Sequence, residues 1–415
     1  MKRVVITGMG VISPIGNNID TFWNNLKNGV CGIDFIKSIP TENLPVKIAA
    51  EVKDFNPADF GIDSSTVRRT DLFAQYALAA ANQAMEDSKL KIENPERLGV
   101  YIGTGVGGIK TFVKETEKVI TEGVQWVSPL FVPMMIANMA GGNVAIAHNA
   151  QGPCLPVVTA CATGTNAIGE AYRAIQYGYA DAIIAGGAEA AIEPVTIGGF
   201  ANSKALTKNE DPKNASIPFD KNRNGFVLGE GAGVVILEEY EHAVKRNAKI
   251  YAEITGYGHT CDAHHLTAPK PDGSCASRAM KTALAEAGYN DNDLLYVNAH
   301  GTSTPLNDKS ETLAIKLAVG EEQARKAYIS SNKSMFGHML GAAGAVELVA
   351  TALTIDNGIV PPTIGLTEAD PDCDLNYVPG KAVKADITIA LSNSLGFGGH
   401  NASLTIRKLK IEKSK

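Results

Sequence analysis

The chain says one thing twice: Arg3-Val-Val-Ile-Thr-Gly-Met-Gly10 returns as Tyr251-Ala-Glu-Ile-Thr-Gly-Tyr-Gly258. An internal echo constrains a fold more tightly than composition does, because both copies have to build the same local unit. Around each copy, near-continuous apolar runs alternate with amphipathic helical stretches. In the first part the runs are Val4–Ile6, Leu98–Ile102, Ala182–Ala185 and Gly233–Leu237. In the second they are Ala252–Ile254, Leu295–Asn298, Tyr328–Ser331, Ile387–Leu391 and Ala402–Ile406. Strands that are apolar on both faces belong to sheets covered by helices. The pattern predicts a duplicated α/β unit, with halves at 1–250 and 251–415. Insertions near 110–140 and 200–225 lengthen the first half. The second insertion, with Lys204, Asp211, Pro212, Asn214, Asp220, Asn222 and Asn224, reads as a polar, turn-rich surface excursion.

Cys161 is the residue with the most chemistry in prospect. Val157–Thr159 reads as a short buried strand, and Asn166–Ile175 has helical spacing with Ala167, Ile168 and Ala171 apolar. The thiol would then sit at a strand-to-helix turn, where unpaired amides and the helix dipole lower its pKa and favour thiolate. The plain alternative is a small buried structural cysteine. A second echo supports a built site: Ile329-Ser-Ser-Asn-Lys-Ser-Met335, leading into helical Ala342–Thr354, repeats the strand and turn at Cys161.

Three further strand-end loops carry reactive or permissive residues. They are Val297-Asn-Ala-His300-Gly-Thr302-Ser-Thr304-Pro305, Ser331-Asn-Lys333-Ser-Met-Phe-Gly-His338 and Ser392-Asn393-Ser-Leu-Gly396-Phe397-Gly398-Gly399-His400-Asn401. Singly, each has an ordinary explanation: a hydrogen-bonded histidine, a solvated lysine, a tight turn. Ligands gather outside the carboxyl ends of α/β strands, so four such loops can converge on one pocket. A cysteine forms thioesters readily and splits acyl transfer into two steps. Two histidines without an obligatory carboxylate suit stabilisation of an enolate oxygen better than simple hydrolysis. The amides of Cys161 and Phe397 could form a separate oxyanion hole. This toolkit fits carbon–carbon bond formation between thioesters.

Composition excludes several classes. With 38 Lys+Arg against 44 Asp+Glu, the net charge of −6 gives no nucleic-acid footprint. Six scattered cysteines suit reduced thiols rather than a disulfide framework. No apolar run reaches the roughly 18 residues of a membrane span. The expected setting is the cytoplasm, or an organelle after transit-peptide removal. Gly103-Thr-Gly105-Val-Gly-Gly108 fits the dinucleotide pattern G-x-G-x-x-G, but no second strand precedes an acidic residue ~20 positions on. A glycine-rich wall beside an acyl pocket is the preferred reading. His264-His265 is set aside as a metal site, since only Asp262 stands near at ligand spacing.

Taken in order, Thr159-Ala-Cys161, Asn298-Ala-His300-Gly-Thr-Ser-Thr-Pro305, Lys333-Ser-Met335, Gly337-His338-x-x-Gly-Ala-Ala-Gly344 and Gly396-Phe-Gly-Gly399 resemble the motifs of β-ketoacyl-[acyl-carrier-protein] synthases. The likeness is strongest to the synthase II group of fatty-acid elongation and runs from the first strand to about residue 407. It implies a thiolase-like fold, two α-β-α units giving five α-β-α-β-α layers. It implies that Cys161 takes the acyl chain, that His300 and His338 support decarboxylation of malonyl-carrier protein, and that Lys333 orders the histidines. Phe397 would be a gate; Thr302 and Thr304 would contact phosphopantetheine. Val106, Phe131 (from the partner subunit of a homodimer), Phe200, Gly398 and Gly399 would bind substrate. Arg68, Arg69 and Lys204 would dock the acidic acyl carrier protein. No cofactor is required, phosphopantetheine arriving on the carrier. Asn298, Glu347, Ser392 and Asn393 match a structural monovalent-cation (K+ or Na+) site. Phe336 and His400 stand where the family commonly has Thr, which touches pocket shape and chain-length preference. Two other readings stay open: a ketosynthase of a polyketide or specialised-lipid pathway, and a non-catalytic chain-length-factor-like partner.

Overall fold

The computed structural model describes residues 1–91 and 93–409, so the last residues of the second half, 410–415, lie outside the described residues. The main strands are β1 (Val4–Ile12), β2 (Leu98–Gly103), β3 (Ala182–Glu189), β4 (Gly231–Glu239), β5 (Ala252–Cys261), β6 (Leu295–Asn298), β7 (Tyr328–Ser330), β8 (Ile389–Gly396) and β9 (His400–Arg407). They run in the order β2-β3-β4-β1-β5-β9-β8-β6-β7. The duplication is visible in the pairings. β2 lies parallel to β3 as β6 lies parallel to β8, and the antiparallel run β3-β4-β1 is matched by β8-β9-β5. The halves are continuous, because β1 also pairs with β5 at Val4↔Ile254, Val5↔Glu253 and Ile6↔Ala252.

Every apolar run read from the sequence becomes a strand of this sheet, with one shift and one exception. β8 starts at Ile389 and extends to Gly396, so Ser392–Leu395 are strand rather than loop. Val157–Thr159 is not a strand, and Val158 is 54% exposed. The segment that corresponds to β7 makes a single parallel bridge, Val100↔Cys154. Pro153 and Pro156 flank it and have no N–H to offer a ladder.

Eight helices matter to the site: α1 (Leu72–Ser88), α2 (Ile109–Thr121), α3 (Met139–Ala147), α4 (Thr163–Gln176), α5 (Pro194–Asn202), α6 (Ser274–Glu286), α7 (Pro305–Val319) and α8 (Ala343–Asn357). α1 and α3 cover the first half-sheet from outside, and α6, with α7 packed on it, covers the second. α4 and α8 touch each other and strands of both halves. They form the middle of five layers, α-β-α-β-α. α8 is buried on every side from Ala343 to Ile355, as a helix apolar all round must be. Closeness here depends on missing side chains: a Cβ on Gly164 of α4 would sit 2.7 Å from the Ala345 amide of α8.

The insertions differ from the sequence reading in one respect. Segment 200–225 is a surface excursion only in part: Lys204, Asp211, Asn214, Asn222 and Asn224 are exposed, but Ala215, Ser216, Phe219, Asp220 and Arg223 are buried and Ser216 Oγ donates to the Lys333 carbonyl at 2.8 Å. Its buried polar side chains serve internal hydrogen bonds. The 110–140 region does lie outside, with Ile120 79%, Val124 75% and Trp126 61% exposed.

Gly164→Ala is expected to push α4 from α8 and to lower stability by about 1–3 kcal/mol, the usual cost of overpacking. Urea unfolding of variant and native protein measures it; equal midpoints would mean that the middle layer tolerates the added methyl.

Candidate active site

Cys161 lies in a 3₁₀ turn, Ala160–Ala162, that runs directly into α4. Ala160 adopts φ +50°, a left-handed conformation that a non-glycine residue keeps only when its surroundings enforce it. The enforcing contacts come from the preceding residue. Thr159 donates its amide to Thr163 Oγ1 (2.8 Å) and its hydroxyl to Asn166 Oδ1 (2.8 Å). The same turn recurs in the second half, where Leu340 at φ +47° opens Leu340–Ala342 and leads into α8. The echo therefore falls later than Ile329–Met335 suggested. Gly341 occupies the place of Cys161, and the extra residues between β7 and this turn deliver Lys333 and His338.

The four loops converge. His300 follows β6, and its ring lies edge-on to that of His338, with centroids 5.3 Å apart and planes at 85°. Lys333 Nζ is 3.3 Å from His300 Nδ1 and ion-pairs with Glu347 of α8, both side chains being almost wholly buried. Both ring nitrogens of His338 are buried and without a protein partner. Cys161, His300 and His338 share a cavity of about 250 Å³ with Phe200, Phe226 and Phe397. Phe226 stands edge-on to His338 at 5.2 Å, and Phe200 lies 6.2 Å from Phe397. Thr302 and Thr304, whose hydroxyls are 2.9 Å apart, line the same cavity, as does exposed Lys204.

Phe397 begins a three-residue turn between β8 and β9. Gly398 (φ +82°) and Gly399 (φ +78°) make the turn rather than line the cavity, and the His400 ring rests on Gly398. Gly396 lets the turn come close to the nucleophile, because a Cβ there would sit 3.2 Å from the Cys161 amide.

Burial dominates the electrostatics. It pushes the Cys161 thiol up to about 11, against the downward pull of the Lys333 charge and the Phe397 amide. This reverses the expectation of a thiol pKa lowered at a helix N-terminus: the site is buried too deeply for a resting thiolate. Burial, followed by the charge of Lys333, holds both His300 and His338 well below the ordinary imidazole value. Both rings are thus neutral at pH 7.

Two buried carboxylates went unremarked in the sequence. Glu311 of α7 accepts the amides of His300 and Gly301, each at 2.8 Å, and burial raises it to about 7. Glu189, ending β3, accepts Thr104 Oγ1 (2.7 Å) and the amides of Gly105 (2.8 Å), Val106 (3.1 Å) and Gly341 (2.9 Å). Each therefore ties down the loop after a parallel strand. The signals were present: Glu189 is a lone acid in an apolar run, and Glu311 shares a helix face with Ile315. Glu189 also explains the glycine pattern 103–108, whose amides turn inward to a carboxylate rather than outward to a phosphate.

Other sequence candidates lie apart. Val106 sits on the loop held by Glu189, and Phe131 packs on Phe112 at 6.2 Å; neither lines the cavity. Arg68 and Arg69 are exposed ahead of α1. Asn298 donates to Ser392 Oγ (3.1 Å) and accepts from Asn332, while Asn393 is held by Glu311 and Ser403. His265 Nδ1 accepts the amides of Thr267 and Ala268, which fixes a loop. Phe336 is a core residue against Phe22 and does not shape the pocket.

Comparison with known families agrees with this geometry. Residues 1–243 match the family model of the β-ketoacyl synthase N-terminal domain, and residues 251–367 that of the C-terminal domain. The chain belongs to the β-ketoacyl synthase family. It is a condensing enzyme of the acyltransferase class with a thiolase-like fold. It is 51% identical over 411 residues to 3-oxoacyl-[acyl-carrier-protein] synthase 2 of Staphylococcus aureus (strain N315), covering 99% of each chain. It is 50% identical over 410 residues to the protein of that name from Synechocystis sp., covering 98% of each. Among solved structures, a β-ketoacyl synthase from Burkholderia phymatum STM815 superposes with TM-score 0.91 at 35% identity, over 99% of this chain and 100% of that one. A type II PKS acyl-carrier protein in complex with its ketosynthase gives TM-score 0.90 at 36% identity, with the same coverage.

A thiol raised by burial should alkylate faster as pH climbs. The rate of iodoacetamide modification of Cys161 is expected to rise steadily from pH 7 through pH 9, with no plateau near neutrality. A plateau below pH 8 would show that the helix end outweighs burial.

Proposed function

We propose that this synthase elongates fatty acyl chains by decarboxylative condensation of malonyl-acyl carrier protein with an acyl group held on Cys161. The observation that carries the reading is the single cavity that joins one thiol, two neutral imidazoles and the Phe397 amide. Identity near 50% to relatives named 3-oxoacyl-[acyl-carrier-protein] synthase 2 favours it over a polyketide role, since the type II PKS ketosynthase neighbour shares 36%.

In the first half-reaction the Cys161 sulfur attacks the thioester carbonyl of acyl-carrier protein. The carbonyl oxygen gains negative charge and is met by the amides of Cys161 and Phe397, fixed dipoles aimed where charge develops. The carrier's phosphopantetheine thiol leaves with the thiol proton. In the second, malonyl-carrier protein enters the same cavity. Lys333 donates to His300 Nδ1, which leaves Nε2 to carry the ring proton and point it at the substrate. The C–C bond to the carboxylate breaks, CO2 departs, and the electron pair becomes an enolate whose oxygen accepts from His300 and His338. Neutral donors suit this step because an imidazolium would hold the substrate carboxylate and resist its loss. The enolate carbon then attacks the Cys161 thioester, the C–S bond breaks, and the 3-oxoacyl product leaves on its carrier while the sulfur takes up one proton from solvent.

Supporting parts fall into place around this chemistry. Thr302 and Thr304 bind the pantetheine arm, Phe397 gates the cavity with Phe200 beside it, and Gly398 and Gly399 give the gate its swing. Exposed Arg68, Arg69 and Lys204 offer positive charge to an acidic carrier. The bare apolar side chains Ile120, Val124, Trp126 and Val132 support a homodimer, through which Phe131 reaches the partner's acyl pocket while Val106 serves the pocket of its own subunit. No described helix is long and apolar enough to cross a membrane. The likeness to bacterial 3-oxoacyl-[acyl-carrier-protein] synthases is what supports a cytoplasmic setting. The reaction as written needs no cofactor. A structural K+ or Na+ would draw on Glu347 Oε2, a buried carboxylate oxygen without a partner among the described residues, and on the side-chain oxygens of Asn298, Ser392 and Asn393.

Cys161→Ala is expected to abolish condensation. Cys161→Gln, which places an amide where the acyl thioester would stand, should retain release of CO2 from malonyl-carrier protein. That decarboxylation should hold its rate from pH 8 to 6.5, the ordinary imidazole value, and decline only below it, because burial displaces proton uptake to lower pH. Condensation by Cys161→Ala, or a midpoint above 6.5, would contradict the mechanism.

A further inference from the structure

Segment 217–225 has no part in the chemistry above, yet it is built against the loop that carries Thr302 and Thr304. That loop is strained, with Gly301 at φ +37° and Ser303 at φ +67°. Segment 217–225 grips it from behind. The Ile217 amide donates to Ser303 Oγ (3.0 Å), and the Gly225 amide donates to the Ser303 carbonyl (3.0 Å). Between them lies Arg223, a guanidinium whose side chain is 4% exposed. Its Nε donates to the Thr304 carbonyl (3.4 Å) and Nη2 to the Pro305 carbonyl (3.2 Å). It is anchored by Asp370 at 2.5 Å and faces Asp308 at 3.5 Å. Asp308, wholly buried, accepts the Phe219 amide at 2.9 Å and has the Thr302 amide close enough to favour its charge. Both hydroxyl-bearing residues are therefore fixed through their backbones by one cation and its carboxylates.

We propose that Arg223 is a positioning residue for substrate recognition: with Asp308 and Asp370 it holds Thr302 and Thr304 where their hydroxyls meet the amide-rich pantetheine arm of the donor. The planar fork is what the role needs, because the carbonyls of Asp220, Thr304 and Pro305 and the Asp370 carboxylate are bridged at once. The inference rests on the reading of Thr302 and Thr304 as arm-binding hydroxyls. It also accounts for the cost of burying an arginine beside a catalytic cavity, since a loop with two residues at positive φ would otherwise relax.

The test compares two acyl donors to Cys161 that differ only in the arm, octanoyl-pantetheine and the truncated octanoyl-N-acetylcysteamine, read by mass on the Cys161 peptide. Arg223→Lys keeps the charge and loses the fork. It is expected to reduce the native preference for the pantetheine donor on the order of tenfold, through KM rather than the maximal rate. Alkylation of Cys161 by iodoacetamide, which has no arm, should stay within about twofold of native. Asp370→Asn, at the outer anchor, should move the preference the same way and serves if Arg223→Lys does not fold. Equal losses with both donors would mean a merely structural role and overturn the proposal. A native preference that survives in both variants overturns it alone. Absence of any preference in the native enzyme would remove the arm reading and this proposal together.

Discussion

Everything at the site depends on the contact between α4 and α8. Each helix is preceded by the same 3₁₀ turn, whose first residue, Ala160 or Leu340, has a left-handed φ, and the two touch where side chains are absent. That contact sets Cys161 against the Leu340–Ala342 turn. It also brings the residues just before that turn, Lys333 and His338, into the cavity of the thiol. A duplicated unit thus yields an asymmetric site. One copy of the turn keeps a cysteine; the other keeps glycine and spends its extra residues on the charge and the imidazole.

The site's electrostatics follow from how deeply its groups are buried. Lys333 is the cation buried nearest the reacting groups, and Glu347 of α8 answers it directly. Removing one member of a buried pair strands the other, at a cost of about 3–5 kcal/mol. The pair thus fixes where positive charge stands and, through His300 Nδ1, which way the imidazole points. Burial keeps both histidines neutral and the thiol protonated, so the resting enzyme holds its reagents uncharged until a thioester arrives. Glu189 and Glu311 serve geometry instead, each gathering backbone amides that a loop would otherwise leave unpaired.

Much of this was legible in the residues. Strands apolar on both faces have a single solution, so the runs from Val4 to Ile406 located the whole sheet. Cys161, His300, Lys333 and His338 were legible because each stands in a distinctive run of small residues, the last three after a strand. What escaped was decided by tertiary context. Val157–Thr159 has strand composition, but the prolines beside it deny the edge a ladder. The thiol's local helix end argued for a low pKa, and burial, invisible in sequence, reversed the sign. Segment 200–225 has the composition of a surface loop, yet Arg223 faces inward because the loop after His300 supplies it with carbonyls, and Asp220 because the Thr367 and Glu368 amides donate to it. The position of Phe336 could not be read either; its neighbour Phe22 is more than three hundred residues away in the chain.

The central claim is that one thiol holds an acyl group while the neighbouring imidazoles make a carbanion from a second thioester. The most direct measurement is a two-stage mass experiment on the native enzyme. Acyl-carrier protein alone should add one acyl mass to the Cys161 peptide and to no other peptide. Malonyl-carrier protein added afterwards should clear that mass at the turnover rate and return it as 3-oxoacyl-carrier protein, two carbons longer. An acyl mass on another residue, or an acyl-Cys161 that malonyl-carrier protein fails to discharge, would contradict the account.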